Sequence, residues 1–225
     1  MAAHAIPKEF KSSKEYLQEL VIPLLNDLAP MNIIDYVDIF FEQNYFTKED
    51  CEALFELAHK LNLGIKVHAD ELNTNFGAEL AAKHKLLSAD HLLKVSDTGI
   101  KMLADSNTVA TLLPGTALFL GKSFPPARKL LDQGCRVAIA SDYNPGSCHC
   151  DNLLLIASVA GKNLEMNSCE LWSAITLNAA KALGLNNQGA IVSGMKPRFT
   201  IFKTKNSENV FYEWGKNLVV KEPFQ

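Results

Sequence analysis

The sequence has 225 residues, 48% of them hydrophobic, which is enough apolar material for one large domain and too much for a disordered chain. Twenty-two Lys and Arg stand against 25 Asp and Glu, a formal charge of -3, and no basic stripe offers a footprint for nucleic acid. No apolar run reaches the roughly 18 residues of a membrane span, the first residues hold no hydrophobic leader core, and five scattered cysteines (51, 135, 148, 150 and 169) fit a reducing cytoplasm.

In chain order, Met1 to Ala5 is a possible strand stub. The capping box Ser12-Ser13-Lys14-Glu15 then opens a helix expected to run to about Leu28. YVDIFF (36–41) reads as the first clear strand. Thr47 caps a helix expected to run to about His59, with acids in its first turn. GIKVHA (64–69) is a second strand and the Ala/Leu-rich segment from Ala78 to His84 a helix. SADHL (88–92), a capped helix from Ser96 to Ala104, TVATLL (108–113), a helix from Pro126 to about Asp132 and RVAIAS (136–141) follow. After that come only helices, over 153–160, 168–177 and 179–183. Short strand-like stretches lie at 199–202 and 217–220.

The strands start at 36, 64, 88, 108 and 136, and each is followed by a helix. Such repeated units imply an α/β fold with a parallel sheet and right-handed crossovers. Both a doubly wound sheet and a (β/α)8 barrel have this pattern. No G-x-G-x-x-G turn or phosphate loop follows any strand, which weakens the dinucleotide-binding option. Polar residues gather instead at strand carboxyl ends, where barrel enzymes build their sites. Five clear strands fall short of the barrel's eight, so residues 1–185 read as the second half of a barrel, about strands 4 to 8. Residues 186–225 read as part of a small β appendage. Half a barrel leaves sheet edges open, so association with a complementary half or a second copy is expected.

Three strand ends carry candidate chemistry. In VHADE, His68 closes an apolar strand and Glu71 follows three residues later, which suits a metal ligand beside a carboxylate that moves protons. His91 ends the next strand, and Asp142 ends the last. Any one of these residues is equally an ordinary solvated loop residue; the joint pattern is harder to obtain from packing alone. After Asp142, the turn Asn144-Pro145-Gly146-Ser147 would present backbone N–H and hydroxyl donors suited to a substrate carboxylate. Cys148-His149-Cys150 lacks the second cysteine pair of a structural zinc site and reads as loop.

The stretches AHAIPKEF, VHADELN, FGAELAAKHKLLSADHL, SDTGIKMLA, TVATLLPGTALFLGK, SDYNPGS and ITLNAAKALG, from about residue 3 to 185, resemble the imidazolonepropionases of the amidohydrolase superfamily. The resemblance implies a (β/α)8 metal-dependent hydrolase barrel with a small β-sandwich built from both chain ends. It implies one zinc or iron ion, and hydrolysis of 4-imidazolone-5-propanoate to N-formimidoyl-L-glutamate in histidine degradation, by a cytoplasmic homodimer. It marks His68 and Asp142 as metal ligands, and Glu71 as substrate-binding and proton-transferring. It puts His91 beside the attacking water, where His91 and Asp142 are the catalytic residues expected to steer it or accept its proton, and His4, Asn144, Gly146 and Ser147 against substrate or product.

The chain departs from the family pattern in lacking the superfamily's His-x-His pair and the family's substrate-binding arginine and tyrosines. Little or no activity is therefore expected of these 225 residues alone. Two further readings stay open: a different cyclic amidohydrolase, and a non-catalytic binding protein that keeps a barrel shell.

Overall fold

A computed structural model of the chain describes residues 2–220. Its contacts divide it into two units, Met1–Ala110 and Thr111–Gln225. Five strands, β1 (Tyr36–Phe41), β2 (Gly64–Ala69), β3 (Ser88–His91), β4 (Val109–Leu112) and β5 (Val137–Ile139), lie in one sheet in chain order, and β4 runs across the unit boundary.

In the first unit β1, β2 and β3 pair in parallel. Phe40 lies level with His68, His68 with Asp90, and Ala69 with His91. The alternation of β2 sorts its side chains: Ile65, Val67 and Ala69 are buried, while Lys66 and His68 occupy the other face. The 13-residue helix over Lys48–Lys60 starts on a complete capping box, Thr47 with Asp50, and buries Leu54, Phe55 and Ala58. Shorter helices over Gly77–Lys83 and Asp97–Ala104 follow β2 and β3.

Gly77 marks how closely the first of these short helices meets the strand before it. A Cβ there would lie 2.7 Å from Ala69 Cβ and 2.9 Å from Ala69 Cα, inside contact distance of backbone. Gly77→Ala is expected to destabilise the chain by about 1–3 kcal/mol despite alanine's better helix propensity. Urea unfolding checks this; a variant as stable as the parent would contradict the packing.

The helix near the amino terminus departs from expectation in detail. Ser13–Tyr16 and Ile22–Leu28 are α-helical, but Leu17–Val21 between them is a π-helical turn. Pro23 has no N–H to give to an i−4 carbonyl, and a wider turn just before it accommodates the lost bond. The stub expected over Met1 to Ala5 is not a strand: Ala2–His4 form a 3-10 turn, and Met1 lies outside the described residues. The Tyr16 hydroxyl donates to Ala2 O at 3.0 Å and Ala3 is buried, so this segment is held by side-chain anchors rather than by a ladder.

In the second unit β5 is buried throughout. Ala140 N donates to Leu112 O at 3.2 Å, and the Asn178 amide donates to Val137 O at 2.8 Å. Helices cover Pro114–Phe119, Ala127–Asp132, Leu153–Asn163, Ser168–Ile175 and Leu177–Ala182. The Arg128 guanidinium grips both oxygens of Glu170, at 2.8 and 3.1 Å. That pairing holds the Glu170 carboxyl below its ordinary range. The tail is sparser than two strands: Phe202 and Val219 form one antiparallel bridge, and a helical turn over Asn209–Tyr212 was not legible beforehand. Residues 221–225, the end of the expected appendage, lie outside the described residues.

Candidate active site

The first unit brings together four residues marked from the sequence: His68, Glu71 and His91 at or just past strand ends, and His4 in the amino-terminal 3-10 turn. The His68 ring lies 5.1 Å from His4 and 5.0 Å from His91, centroid to centroid, and His91 Nε2 stands 3.5 Å from Glu71 Oε2. His4 also stacks on Phe40 at 4.8 Å.

His68 is oriented by a carboxylate on β1. Its Nδ1 sits 3.0 and 2.9 Å from the two oxygens of Asp38, two residues back from Phe40 on the same face of β1. Burial works against charge on the imidazole, but the Asp38 carboxylate overrides it and lifts His68 to about 9. The same pairing draws Asp38 below its ordinary value against the push of burial. His91 moves the other way: burial, then the neighbouring His68 charge, push it down to about 3. Its Nδ1 is buried and has no hydrogen-bond partner among the described residues.

His91 reaches this cluster by a break in strand geometry. Its register partner is Ala69, so strict alternation would aim it at the face opposite His68. Instead His91 has φ 77° and Leu92 φ 61°, two consecutive left-handed residues. That reversal swings the ring back beside His68. Left-handed backbone at non-glycine residues is costly and concentrates at functional sites; Asp70 (φ 52°) and Asp142 (φ 53°) share it at their own strand ends.

Two buried carboxylates fix the loop after β2. Asp70 accepts from the backbone N–H of Asn75 at 2.8 Å, Gly77 at 3.2 Å and Ala78 at 3.0 Å, capping the helix that begins there. Burial pushes its carboxyl above the ordinary range, and these three amides oppose the push. Glu42, just past β1, accepts from Glu71 N at 2.6 Å, Leu72 N at 3.0 Å and Asn73 N at 3.3 Å. Asp38 and Glu42 carried a legible signal: they are charged residues in and immediately after an otherwise apolar strand.

The second unit holds the other marked residues. Asp142 Oδ2 accepts from the buried Thr116 hydroxyl at 2.6 Å, a partner that nothing in the sequence pointed to. Asn144 closes the turn on itself. Its side-chain amide donates to Asp142 O at 2.7 Å and to Ser147 Oγ at 2.8 Å, while its Oδ1 accepts from Gly146 N and Ser147 N, both at 2.8 Å. The donors expected to face a substrate are thus engaged within the turn. In the neighbouring Cys148-His149-Cys150, the His149 ring is 2.8 Å from Pro145 O and packs on Phe119, and all five cysteines are free.

Donor chemistry at His68 fits one position in a zinc or iron shell. A carboxylate on Nδ1 leaves Nε2 as the ligating nitrogen, the usual arrangement for a metal-bound imidazole. Among the described residues, however, no group of three or more His, Cys, Asp or Glu side chains is arranged to hold a metal ion. The residues present therefore fit part of a metal shell and not a whole one.

Comparison with known proteins adds the family. Residues 40–224 match the sequence model of the Amidohydrolase family. Imidazolonepropionase of Bacillus cereus (strain ATCC 14579) is 43% identical over 218 residues, covering 96% of this chain and 51% of the relative. The Bacillus mycoides (strain KBAB4) imidazolonepropionase matches to the same extent. The chain thus spans about half the length of the curated relatives it matches. Among solved structures, an adenosine deaminase from Xanthomonas campestris with bound zinc aligns at TM-score 0.73 and 18% identity, over 96% of this chain and 57% of its own. Atrazine chlorohydrolase from Arthrobacter aurescens TC1, complexed with zinc, aligns at 0.65 and 18%, over 84% and 47%. At such identity these two speak to the fold alone. With the family model matched over most of its length and a parallel α/β sheet to go with it, this chain belongs to the amidohydrolase family.

Proposed function

We propose that this chain supplies part of the active site of a metal-dependent hydrolase that opens the lactam ring of 4-imidazolone-5-propanoate to N-formimidoyl-L-glutamate. The observation that carries the reading is the cluster of His68, His91 and Glu71 at the strand ends with His4 beside it, His68 being already oriented by Asp38. In the proposed architecture residues 1–185 are about strands 4 to 8 of a (β/α)8 barrel and residues 186–225 part of a small β-sandwich. The complete enzyme is read as a cytoplasmic homodimer whose partner is a small molecule rather than nucleic acid or membrane.

His68 and Asp142 are the residues of this chain that would hold one zinc or iron ion. Such an ion, when bound, polarises a carbonyl and makes water a nucleophile near neutral pH. The chain's own groups have separate tasks. His91 and Asp142 steer the attacking water and accept its proton. Glu71 hydrogen-bonds the lactam nitrogen and, as the C–N bond breaks, delivers to it the proton that the attacking water gives up. His4 packs against the substrate ring. The propanoate carboxylate takes the place of Asn144 Oδ1 as acceptor for Gly146 N and Ser147 N, so binding there exchanges one acceptor for another.

The incomplete donor set favours a second reading, a barrel shell that binds without catalysing. Assay separates the two. The 225-residue chain with added zinc or iron is expected to leave the lactam intact. Combined with the part of the Bacillus cereus relative that this chain does not match, it is expected to release N-formimidoyl-L-glutamate, detected by mass spectrometry. A combined protein that takes up metal but leaves the lactam unopened would sink the hydrolase reading in favour of the shell. Full turnover by the chain alone would remove the need for a His-x-His pair.

A further inference from the structure

Glu42 is 1% exposed, and both of its carboxylate oxygens are spent on three successive backbone amides, those of Glu71, Leu72 and Asn73. Successive N–H groups turned toward one point form an anion-binding concavity, here filled by a side chain of the same protein from 29 residues upstream. The first of those amides belongs to the residue whose carboxylate stands 3.5 Å from His91 Nε2.

Two consequences follow from this arrangement. The Glu71 backbone is fixed between Glu42 on one side and the Asp70 cap on the other, so only its side-chain torsions remain to be set. The loop amides are also already satisfied. An acidic side chain next to unpaired backbone donors tends to fold back onto them. With Glu42 occupying them, those three amides are not open to the Glu71 carboxylate.

We propose that Glu42 is the positioning residue for Glu71: by filling the amide concavity of residues 71–73 it both anchors the Glu71 backbone and keeps the Glu71 carboxylate directed to His91. The task given to Glu71 rests on the hydrolase reading above; the placement itself does not. Nothing in this role requires Glu42 to touch substrate.

The test uses the full chain labelled with ¹⁵N in its histidine rings, at one fixed pH, without substrate. Glu71→Gln is expected to move the His91 ring resonances. Glu42→Gln, which turns an NH2 toward the Asn73 amide, is expected to move them the same way. It should also speed hydrogen exchange at amides 71–73 by about tenfold. Faster exchange with His91 resonances at their parent positions would make Glu42 a loop anchor only and overturn the proposal. His91 resonances unmoved by Glu71→Gln would overturn it as well, because the contact being positioned would not be felt. Should Glu42→Gln fail to fold, Glu42→Asp keeps the charge one methylene short and is read by the same criteria. If neither variant folds, Glu42 belongs to the fold rather than to Glu71. Turnover plays no part in these readouts, so loss of the hydrolase reading would appear in the lactam assay and leave them standing.

Discussion

On the hydrolase proposal, Glu71→Gln is expected to lower kcat/KM for lactam opening by about 10²–10⁴-fold in the chain combined with the unmatched part of the Bacillus cereus relative, the range of a lost general acid–base group. Glutamine keeps the size of the side chain and its capacity to hydrogen-bond a ring nitrogen, but it cannot deliver a proton. The loss should therefore fall mainly on kcat. Stability should not follow, because the bond that holds residue 71 runs from its main-chain N–H to Glu42 and survives the substitution. Steady-state kinetics with thermal unfolding of the same samples checks both halves. An unchanged kcat would assign the proton transfer to another group.

Asp70→Ala is expected to cost about 2–4 kcal/mol of folding stability. The carboxylate is fully buried and accepts three backbone N–H groups at the start of a helix; alanine leaves all three without that acceptor, those of Gly77 and Ala78 in buried positions. The residue is also left-handed, at φ 52°, a conformation that aspartate tolerates better than alanine. Asp70→Asn keeps one acceptor oxygen and should fall between parent and alanine variant in urea unfolding. An alanine variant within 0.5 kcal/mol of the parent, roughly the scatter of neutral surface changes, would refute the capping role.

The β/α alternation was legible because each strand is a short apolar run closed by polar residues, and most of the longer helices open on a side-chain cap. Ser12, Thr47, Ser96 and Asn167 all accept from the first turn of the helix they precede. The π-turn at Leu17–Val21 and the helical turn at Asn209–Tyr212 were not legible, since neither has a periodicity distinct from its neighbours. At the site, His68 was found by the rule that polar residues at strand ends line a barrel mouth. The same rule applied to YVDIFFE would have found Glu42, and the inward position of Asp38 on an apolar strand was an equal signal. His91 is the instructive case. Its meeting with His68 was read from both ending strands, yet in register the two belong to opposite faces. The contact depends on a backbone reversal at His91 and Leu92 that no side-chain pattern encodes. Thr116 lies 26 residues before its partner Asp142, and only tertiary contact joins them.

The amide concavity after β2 also sets a rule for protein engineering. Residues 68–76 look like a portable cassette: a histidine, a helix-capping aspartate and a glutamate within one short loop. Moved alone into another protein, that cassette would arrive with three main-chain donors that its own side chains do not satisfy. The smallest transferable piece therefore includes the end of the preceding strand, from Asp38 through Glu42, in parallel register with β2. Directed evolution of this loop for a new ligand would meet the same boundary, because libraries that vary residues 71–73 but hold Glu42 constant sample side chains on a backbone held by the same three hydrogen bonds.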